Sequence, residues 1–347
     1  MTNVITKVAA IQAEPAWFDL RAGVSKVISL IQQAASNGAQ LIGFPESFIP
    51  GYPLAIWTQG FDPAFLAEFQ KNCLSVQSEE YAQIRKAIRD IGTIWVVLAF
   101  TERDGQSMYA AQSIIDPQGR VLLHRRKLKA TGQERTIWGD APADSLKSAV
   151  SAGPNGPVIG SLNCWEHLHP LLKFHHISLG PQIHVASWPF CGLISEGAPP
   201  QFSSDVQDTL SRAIAIEGQM FVIQSTQLIR KENEGICRIE GTPWAPKNGG
   251  GFAAIYSPLG VRLTEPTDPG QETIIYADIN LDEVAIGKLT GDVVGHYSRP
   301  DLLSLLVCPP STPEFPAKVV VTGSGINGNL ERSTSSTLLS KIPSLED

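Results

Sequence analysis

Hydrophobic runs typical of buried strands alternate along this chain with segments whose apolar residues recur at helical spacing. Between the strand-like runs 4–12 and 41–44, segment 20–36 has apolar residues at i, i+3, i+4 and i+7, which predicts an amphipathic surface helix. Similar patterns predict helices at 78–91 and 203–218. Further strands are predicted at 94–100, as a pair around 107–125 joined by the turn DPQGR, and at 158–165, 182–188, 220–227, 250–258 and 273–281.

The order of these elements predicts a mixed α/β fold. Strands and helices alternate early in the chain, hairpin-like strand pairs come later, and the pattern occurs roughly twice. Two sheets that face each other, with helices on the outside, satisfy this order. After Cys308 the sequence becomes rich in Pro, Gly, Ser and Thr. We therefore predict one folded domain over 1–308 and an extended or disordered tail over 309–347.

The charge balance argues against a polyanionic partner. The chain has 34 acidic and 27 basic residues, for a formal net charge of -7. The densest basic run, HRRKLK at 124–129, alternates with leucine and is predicted to be a strand with one polar face. No basic stripe is present to neutralise phosphates, so we expect no nucleic-acid partner.

Several features of the sequence predict a cytoplasmic protein that does not enter the membrane. No segment reaches the roughly 18 apolar residues needed to cross a bilayer, and the N-terminus lacks the pattern of a secretory signal. The cysteines are odd in number and show no CxxC spacing, as is typical of a reduced intracellular protein. They are Cys73, Cys164, Cys191, Cys237 and Cys308.

The stretch SLNCWEHLHP at 161–170 concentrates chemistry-bearing residues around Cys164. Cys164 stands between a predicted strand and a helix-like run, near amides that lower a thiol pKa and bind an oxyanion. A buried structural thiol and a nucleophile both remain open from position alone. Metal binding is not expected, because His169 and His176 on one helical face lie roughly 10 Å apart along the axis.

A nucleophilic thiol needs a base and a group that stabilises developing negative charge. Glu46, in FPESFIPGYP, follows an apolar strand, where partial burial raises the pKa of a carboxylate. Lys127, in HRRKLKATGQERTIWG, is a candidate cation. Taken singly, each residue is also explained as a solvated surface charge.

Together, the ordered residues resemble a known catalytic set. Glu46 in FPE, Lys127 in RRKL and Cys164 in NCWE resemble the Glu-Lys-Cys triad of the carbon–nitrogen hydrolase superfamily, in its nitrilase branch. The flanking sequences PGYP, TGQERTIWG, CWEHLHPLLK, SWP and GHYSRPDLL agree, and the resemblance runs from about residue 5 to 308. One departure is Ala130, where related sequences commonly have proline.

The resemblance implies a fold, a set of roles and an assembly. It implies an αββα four-layer sandwich, with dimers that extend into higher oligomers or spiral filaments. Glu46 is the implied general base, Cys164 the nucleophile, Lys127 the charge-stabilising group and Glu134 a second carboxylate. The backbone N–H of Trp165 is a candidate oxyanion donor. No metal or organic cofactor is required by this chemistry.

The activity implied is hydrolysis of an organic nitrile to a carboxylic acid and ammonia through a cysteine thioimidate and thioester. The alternative is a cyanide hydratase-type activity that releases the amide from the same site. Aromatic and imidazole side chains near the motifs predict an apolar pocket for aryl or arylacetonitriles. These residues are Tyr52, Trp57, Trp165, His167 and Trp188, of which Trp57 and His167 are equally well explained as core or helix residues.

Overall fold

A computed structural model describes residues 5–307 and the backbone of 319–321. The strands are β1 (Lys7–Ala13), β2 (Leu41–Gly43), β3 (Trp95–Asp104), β4 (Ser107–Ile115), β5 (Val121–Arg126), β6 (Ala149–Ser151), β7 (Val158–Asn163), β8 (Ile183–Trp188), β9 (Phe221–Gln227), β10 (Ala254–Tyr256), β11 (Thr273–Asp278), β12 (Leu305–Val307) and β13 (Val319–Val321). The α-helices are α1 (Leu20–Ser36), α2 (Ala55–Thr58), α3 (Pro63–Lys71), α4 (Glu79–Ile91), α5 (Pro170–Ser178), α6 (Ser204–Gly218) and α7 (Asp282–Gly291).

The three helices predicted from periodicity have side-chain caps at their first turns. Asp19 accepts a hydrogen bond from the Ala22 amide at the start of α1, and Ser78 and Ser203 cap α4 and α6 in the same way. At the end of α4, Gly92 adopts the left-handed conformation with φ 74°, which glycine reaches without a steric penalty. Local sequence and packing therefore agree on these boundaries.

The strands form two half-sheets that are joined along one short seam. The first half has the order β5-β4-β3-β2-β1, with β11 beside β1, and the second has the order β9-β8-β7-β6, with β10 beside β9. Strands β1 and β9 pair in parallel over only two positions, Gln12 with Thr226 and Ala13 with Gln227. The hydrogen-bonded order of strands is therefore continuous, but the two half-sheets are joined only at this short junction and otherwise pack face to face.

Buried residues define four layers. Apolar side chains of β1, β2 and β3 meet those of β7, β8 and β9 in one cluster between the half-sheets. Helices α1 and α4 cover the outer face of the first half-sheet, and α5 and α6 cover that of the second. This confirms the predicted αββα sandwich.

Some predicted boundaries differ from the structure. The strand predicted at 158–165 ends at Asn163, and Cys164 begins a short 3₁₀ turn instead. The sequence patterns did not indicate α2, α3 and α7. The predicted tail over 309–347 lies outside the described residues except for 319–321, whose backbone pairs with β12. Within the described part, no helix is long and apolar enough to span a membrane.

The close approach of the half-sheets depends on Gly43 in β2. A Cβ atom at this position would lie 2.6 Å from Cγ1 of Val185 in β8. We expect Gly43→Ala to lower the free energy of unfolding by about 1–3 kcal/mol, because the packed side chains must shift. Urea unfolding measures this change.

Gly291→Ala is the matched control, since an added Cβ there meets nothing within 4 Å. Its free energy of unfolding should stay within about 0.5 kcal/mol of the parent. Equal destabilisation by the two substitutions would show that the effect of Gly43→Ala does not come from the contact between the half-sheets.

Candidate active site

The three residues of the sequence motif lie at the ends of strands that run in one direction. Parallel pairing links β2 to β7 through β1, β9 and β8, and two antiparallel steps from β3 give β5 the same direction. Glu46 follows β2, Lys127 follows β5 and Cys164 follows β7. The carboxyl ends of these strands share one edge of the sandwich, so distant parts of the chain converge there.

A buried ammonium bridges two buried carboxylates. Lys127 Nζ donates to Glu46 Oε1 at 2.9 Å and to Glu134 Oε2 at 2.8 Å, and all three side chains are at most 2% exposed. Burial alone would lower the pKa of Lys127, but Glu134 and Glu46 together raise it well above its usual value. Lys127 is therefore a permanent cation in this site.

The two carboxylates differ in how their remaining oxygens are used. Glu134 Oε1 accepts a hydrogen bond from the Tyr52 hydroxyl at 2.7 Å, and Trp57 Nε1 donates to that hydroxyl at 3.1 Å. Glu46 Oε2 has no hydrogen-bond partner among the described residues. Burial raises the pKa of Glu46, against the opposing effect of Lys127. Glu46 therefore has both a free oxygen and a raised proton affinity.

Cys164 lies on a sharp turn directly after β7. Its φ is 44°, in the left-handed region that non-glycine residues seldom adopt, and its side chain is buried. Burial raises the pKa of the Cys164 thiol well above its usual range, and Glu46 raises it further while Lys127 lowers it. The resting group is therefore a neutral thiol that needs a base.

An ion pair that the sequence analysis missed connects this turn to the strand before Lys127. Arg125, in β5, donates to both oxygens of Glu166 at 2.6 and 2.7 Å. Glu166 also accepts hydrogen bonds from the backbone amides of Asn163 and Leu128, at 2.9 and 3.0 Å. Asn163 precedes Cys164 and Leu128 follows Lys127, so one carboxylate fixes the spacing between the two motif residues.

Cys164 opens into a cavity with a mainly apolar wall. Trp57 stacks on Trp244 with ring centroids 5.1 Å apart, and Phe202 packs against both rings. Cys191 and Glu196 also line this space. The aromatic residues on the wall are Tyr52, Trp57, Phe190, Phe202 and Trp244.

The structure places only part of the predicted pocket on this wall. Tyr52 and Trp57 line the cavity, whereas Trp165, His167 and Trp188 do not. The Trp165 ring instead stacks on Phe202 at 5.5 Å. Trp188 points to the helical layer, where its Nε1 donates to Ser211 Oγ at 3.0 Å.

His167 is fully buried beneath the turn, and its Nδ1 lies 2.6 Å from the Cys164 carbonyl oxygen. The substrate contacts of Trp165, His167 and Trp188 therefore stay predictions that the position of this cavity does not support. His167 therefore points into the layer behind the site, although it is only three residues from Cys164 in sequence.

The chain is similar to proteins of one known family. A family model described as carbon-nitrogen hydrolase matches residues 7–286. The chain belongs to the carbon-nitrogen hydrolase family. The resemblance found in the sequence motifs is therefore confirmed at the level of the family.

Curated relatives match over most of their length. A nitrilase of Talaromyces marneffei is 44% identical over 313 residues, covering 88% of this chain and 96% of the relative. An arylacetonitrilase of Aspergillus oryzae is 44% identical, covering 86% and 90%. A cyanide hydratase of Armillaria gallica is 43% identical, covering 87% and 85%.

Among solved structures, an amidase from Nesterenkonia sp. has a similar fold. Its TM-score is 0.58 at 17% sequence identity, covering 82% of this chain and 94% of the amidase. At this identity, the likeness concerns the fold alone.

The geometry predicts that Lys127, and not Lys129, is essential for turnover. Lys127→Arg should lower kcat by about 10²–10³, because a planar guanidinium cannot occupy the position of the compact ammonium between two buried carboxylates. Steady-state release of ammonia measures the effect. Lys129→Ala is the control, since Lys129 pairs with Asp140 on the exposed surface. An active Lys127→Arg beside an inactive Lys129→Ala would overturn the assignment.

Proposed function

We propose that this protein is a nitrilase that hydrolyses an organic nitrile to a carboxylic acid and ammonia. The observation that supports it most strongly is the buried Glu46–Lys127–Glu134 group at the strand edge where the Cys164 thiol opens into an aromatic cavity. Relatives described as nitrilase and arylacetonitrilase at 44% identity support the same chemistry.

The first step forms a covalent bond between Cys164 and the nitrile carbon. Glu46 accepts the thiol proton, and the thiolate adds to the carbon of the C≡N bond to give a thioimidate. The nitrogen gains negative character as the bond order falls. The Lys127 ammonium stabilises that charge, and the nitrogen takes up the proton that left the thiol.

Two molecules of water complete the reaction. The first adds to the thioimidate carbon, with a carboxylate accepting its proton, and the tetrahedral intermediate loses ammonia to leave a thioester. The second water attacks the thioester and releases the carboxylic acid, and the Cys164 thiol is restored. One nitrile and two waters thus give one acid and one ammonia, without a redox step.

Glu134 holds Lys127 in place during these steps. With Oε2 on the Lys127 ammonium and Oε1 on the Tyr52 hydroxyl, Glu134 is fixed at both oxygens. Burial and the nearby acidic groups raise the pKa of Tyr52 well above its usual value, so the hydroxyl remains a neutral donor. Glu46 is then the carboxylate that is free to exchange protons.

The cavity supports an aromatic nitrile as the substrate. The stacked Trp57 and Trp244 rings, with Phe202 beside them, offer an apolar surface for an aryl group. A hydratase acting on cyanide itself is the second candidate, because one relative is described as a cyanide hydratase. The aromatic residues on the cavity wall favour an organic nitrile that carries an aryl group over cyanide.

The proposal includes a cytoplasmic homo-oligomer built from dimers that extend into a spiral or filament. Exposed apolar side chains in α7 and the segment after it support an interface between copies, because association would remove this apolar surface from water. Leu289 and Leu303 are each 81% exposed.

Replacement of the nucleophile should abolish turnover without unfolding the protein. Cys164→Ala is expected to release no ammonia from any nitrile, because the thioimidate and the thioester both form on the Cys164 sulfur. A panel of aliphatic, aryl and arylacetonitriles plus cyanide, with acid and amide quantified separately, measures the parent and the variant.

Cys73→Ala is the control, since Cys73 is buried among the side chains of α3 and β4 and does not line the cavity. It should lose stability and retain its turnover rate. Ammonia release by Cys164→Ala would contradict the covalent mechanism. Amide as the main product of the parent would favour the hydratase alternative.

A further inference from the structure

Three buried histidines form a hydrogen-bonded chain beneath the nucleophile turn. His167 Nε2 lies 2.8 Å from His184 Nε2, and His184 Nδ1 lies 2.9 Å from His176 Nε2. At one end, His167 Nδ1 lies 2.6 Å from the Cys164 carbonyl oxygen. At the other, His176 Nδ1 lies 2.7 Å from Ser148 Oγ. The three rings and Ser148 are 0% exposed.

The carbonyl end fixes the direction of every hydrogen bond in this chain. A carbonyl oxygen only accepts, so His167 must carry its proton on Nδ1. Burial lowers the pKa of His167 to about 4 and that of His176 to about 3, and it lowers the pKa of His184 well below its usual value. Each ring is neutral and has one donor, so His184 donates to His167, His176 donates to His184, and Ser148 donates to His176.

The surrounding residues are shaped to hold these rings. Gly160 leaves room for His176, because a Cβ atom there would lie 2.5 Å from its Cε1. The His167 ring stacks on Trp188 with centroids 5.2 Å apart. The backbone carbonyl of Trp188 also accepts a hydrogen bond from the Glu46 amide at 3.2 Å. The three histidines therefore contact the Cys164 backbone directly and are linked to Glu46 through Trp188.

The Cys164 carbonyl and the Trp165 amide belong to the same peptide group. A trans peptide is planar, so its N–H points opposite to its C=O. Trp165 is the second residue of the 3₁₀ turn Cys164–Leu168, where an amide has no acceptor within the helix. Because His167 binds the Cys164 carbonyl from one side, the Trp165 N–H points away from the three histidines.

We propose that His167 is a positioning residue that, through its bond to the Cys164 carbonyl, aims the Trp165 N–H at the charge that develops during attack. His184 and His176 hold His167 in the tautomer that donates from Nδ1. The inference rests on the proposed nitrile hydrolysis and assigns a role to three histidines that do not contact the cavity.

Two nearly isosteric variants distinguish the role of His167 Nδ1 from that of Nε2. In His167→Asn, the amide nitrogen replaces Nδ1 and keeps the donor to the carbonyl. In His167→Gln, the amide replaces Nε2 and keeps the group that faces His184, but it loses that donor. We expect His167→Gln to lower kcat by about 10²-fold with little change in KM, because a misplaced catalytic group costs rate and not binding.

His167→Asn should keep kcat within about tenfold of the parent, because it preserves the bond that orients the peptide. His175→Asn is the control, since His175 lies beside His176 in α5 but is not part of the hydrogen-bonded histidine chain. Thermal midpoints of all variants give the stability effect separately. Equal loss of kcat in His167→Asn and His167→Gln would overturn the inference while leaving nitrile hydrolysis by the parent intact.

Histidine ring spectra provide a readout that needs no turnover. Nitrogen-15 NMR of the full-length protein should show His167 protonated on Nδ1, and His184 and His176 protonated on Nε2. A His167 protonated on Nε2 would overturn the anchoring role. If the parent released no ammonia from any nitrile, the proposed function would fail, and these spectra would still decide whether the chain holds the Cys164 carbonyl.

Discussion

The structure depends on one buried cation held between two buried carboxylates. Removing Lys127, Glu46 and Glu134 from water costs several kcal/mol per ion, and only close pairing offsets that cost. Lys127 lies within 2.9 Å of both partners, and Tyr52 occupies one oxygen of Glu134. Of the four carboxylate oxygens, only Glu46 Oε2 has no hydrogen-bond partner within the part of the chain that the structure describes. That oxygen lies in the site where a thiol must lose its proton.

The rest of the fold serves to bring these groups to one place. Strands β2, β5 and β7 come from distant parts of the chain, and their shared direction puts their ends on one edge. The Arg125–Glu166 pair then holds the Lys127 segment against the Cys164 turn, because Glu166 bonds to backbone amides of both. The two buried ionic groups thus have different roles. The group around Lys127 provides the reacting charges, and the Arg125–Glu166 pair fixes the distance between the backbone segments that carry Lys127 and Cys164.

Periodicity in the sequence predicted the fold well where an element has one buried face. The apolar stripe of α1 and the alternation in β3 follow directly from that asymmetry. Helix α3 was missed although Asp62 and Pro63 form a start signal, since its periodic segment is short. The convergence of Glu46, Lys127 and Cys164 came from motif resemblance and not from periodicity, because local patterns do not contain the pairing of distant strands.

The sequence contains a reason why Trp188 does not line the cavity. In β8, residues two apart share a face, and Trp188 shares its face with His184 and Ala186, toward the helical layer. Closeness to a motif in sequence does not determine which face of a strand a side chain occupies. The Arg125–Glu166 pair was also beyond the sequence, because neither residue's burial is visible without the packing of β5 against the nucleophile turn.

The proposed mechanism depends on covalent attachment of the nitrile carbon to the Cys164 sulfur. Mixing the full-length enzyme with an arylacetonitrile, quenching within one turnover and mapping peptides by mass spectrometry tests it directly. A thioimidate or thioester adduct on the peptide that contains Cys164 is the predicted result. Acid formed while Cys164 stays unmodified, or an adduct found on Cys191 in the same cavity, would contradict the account.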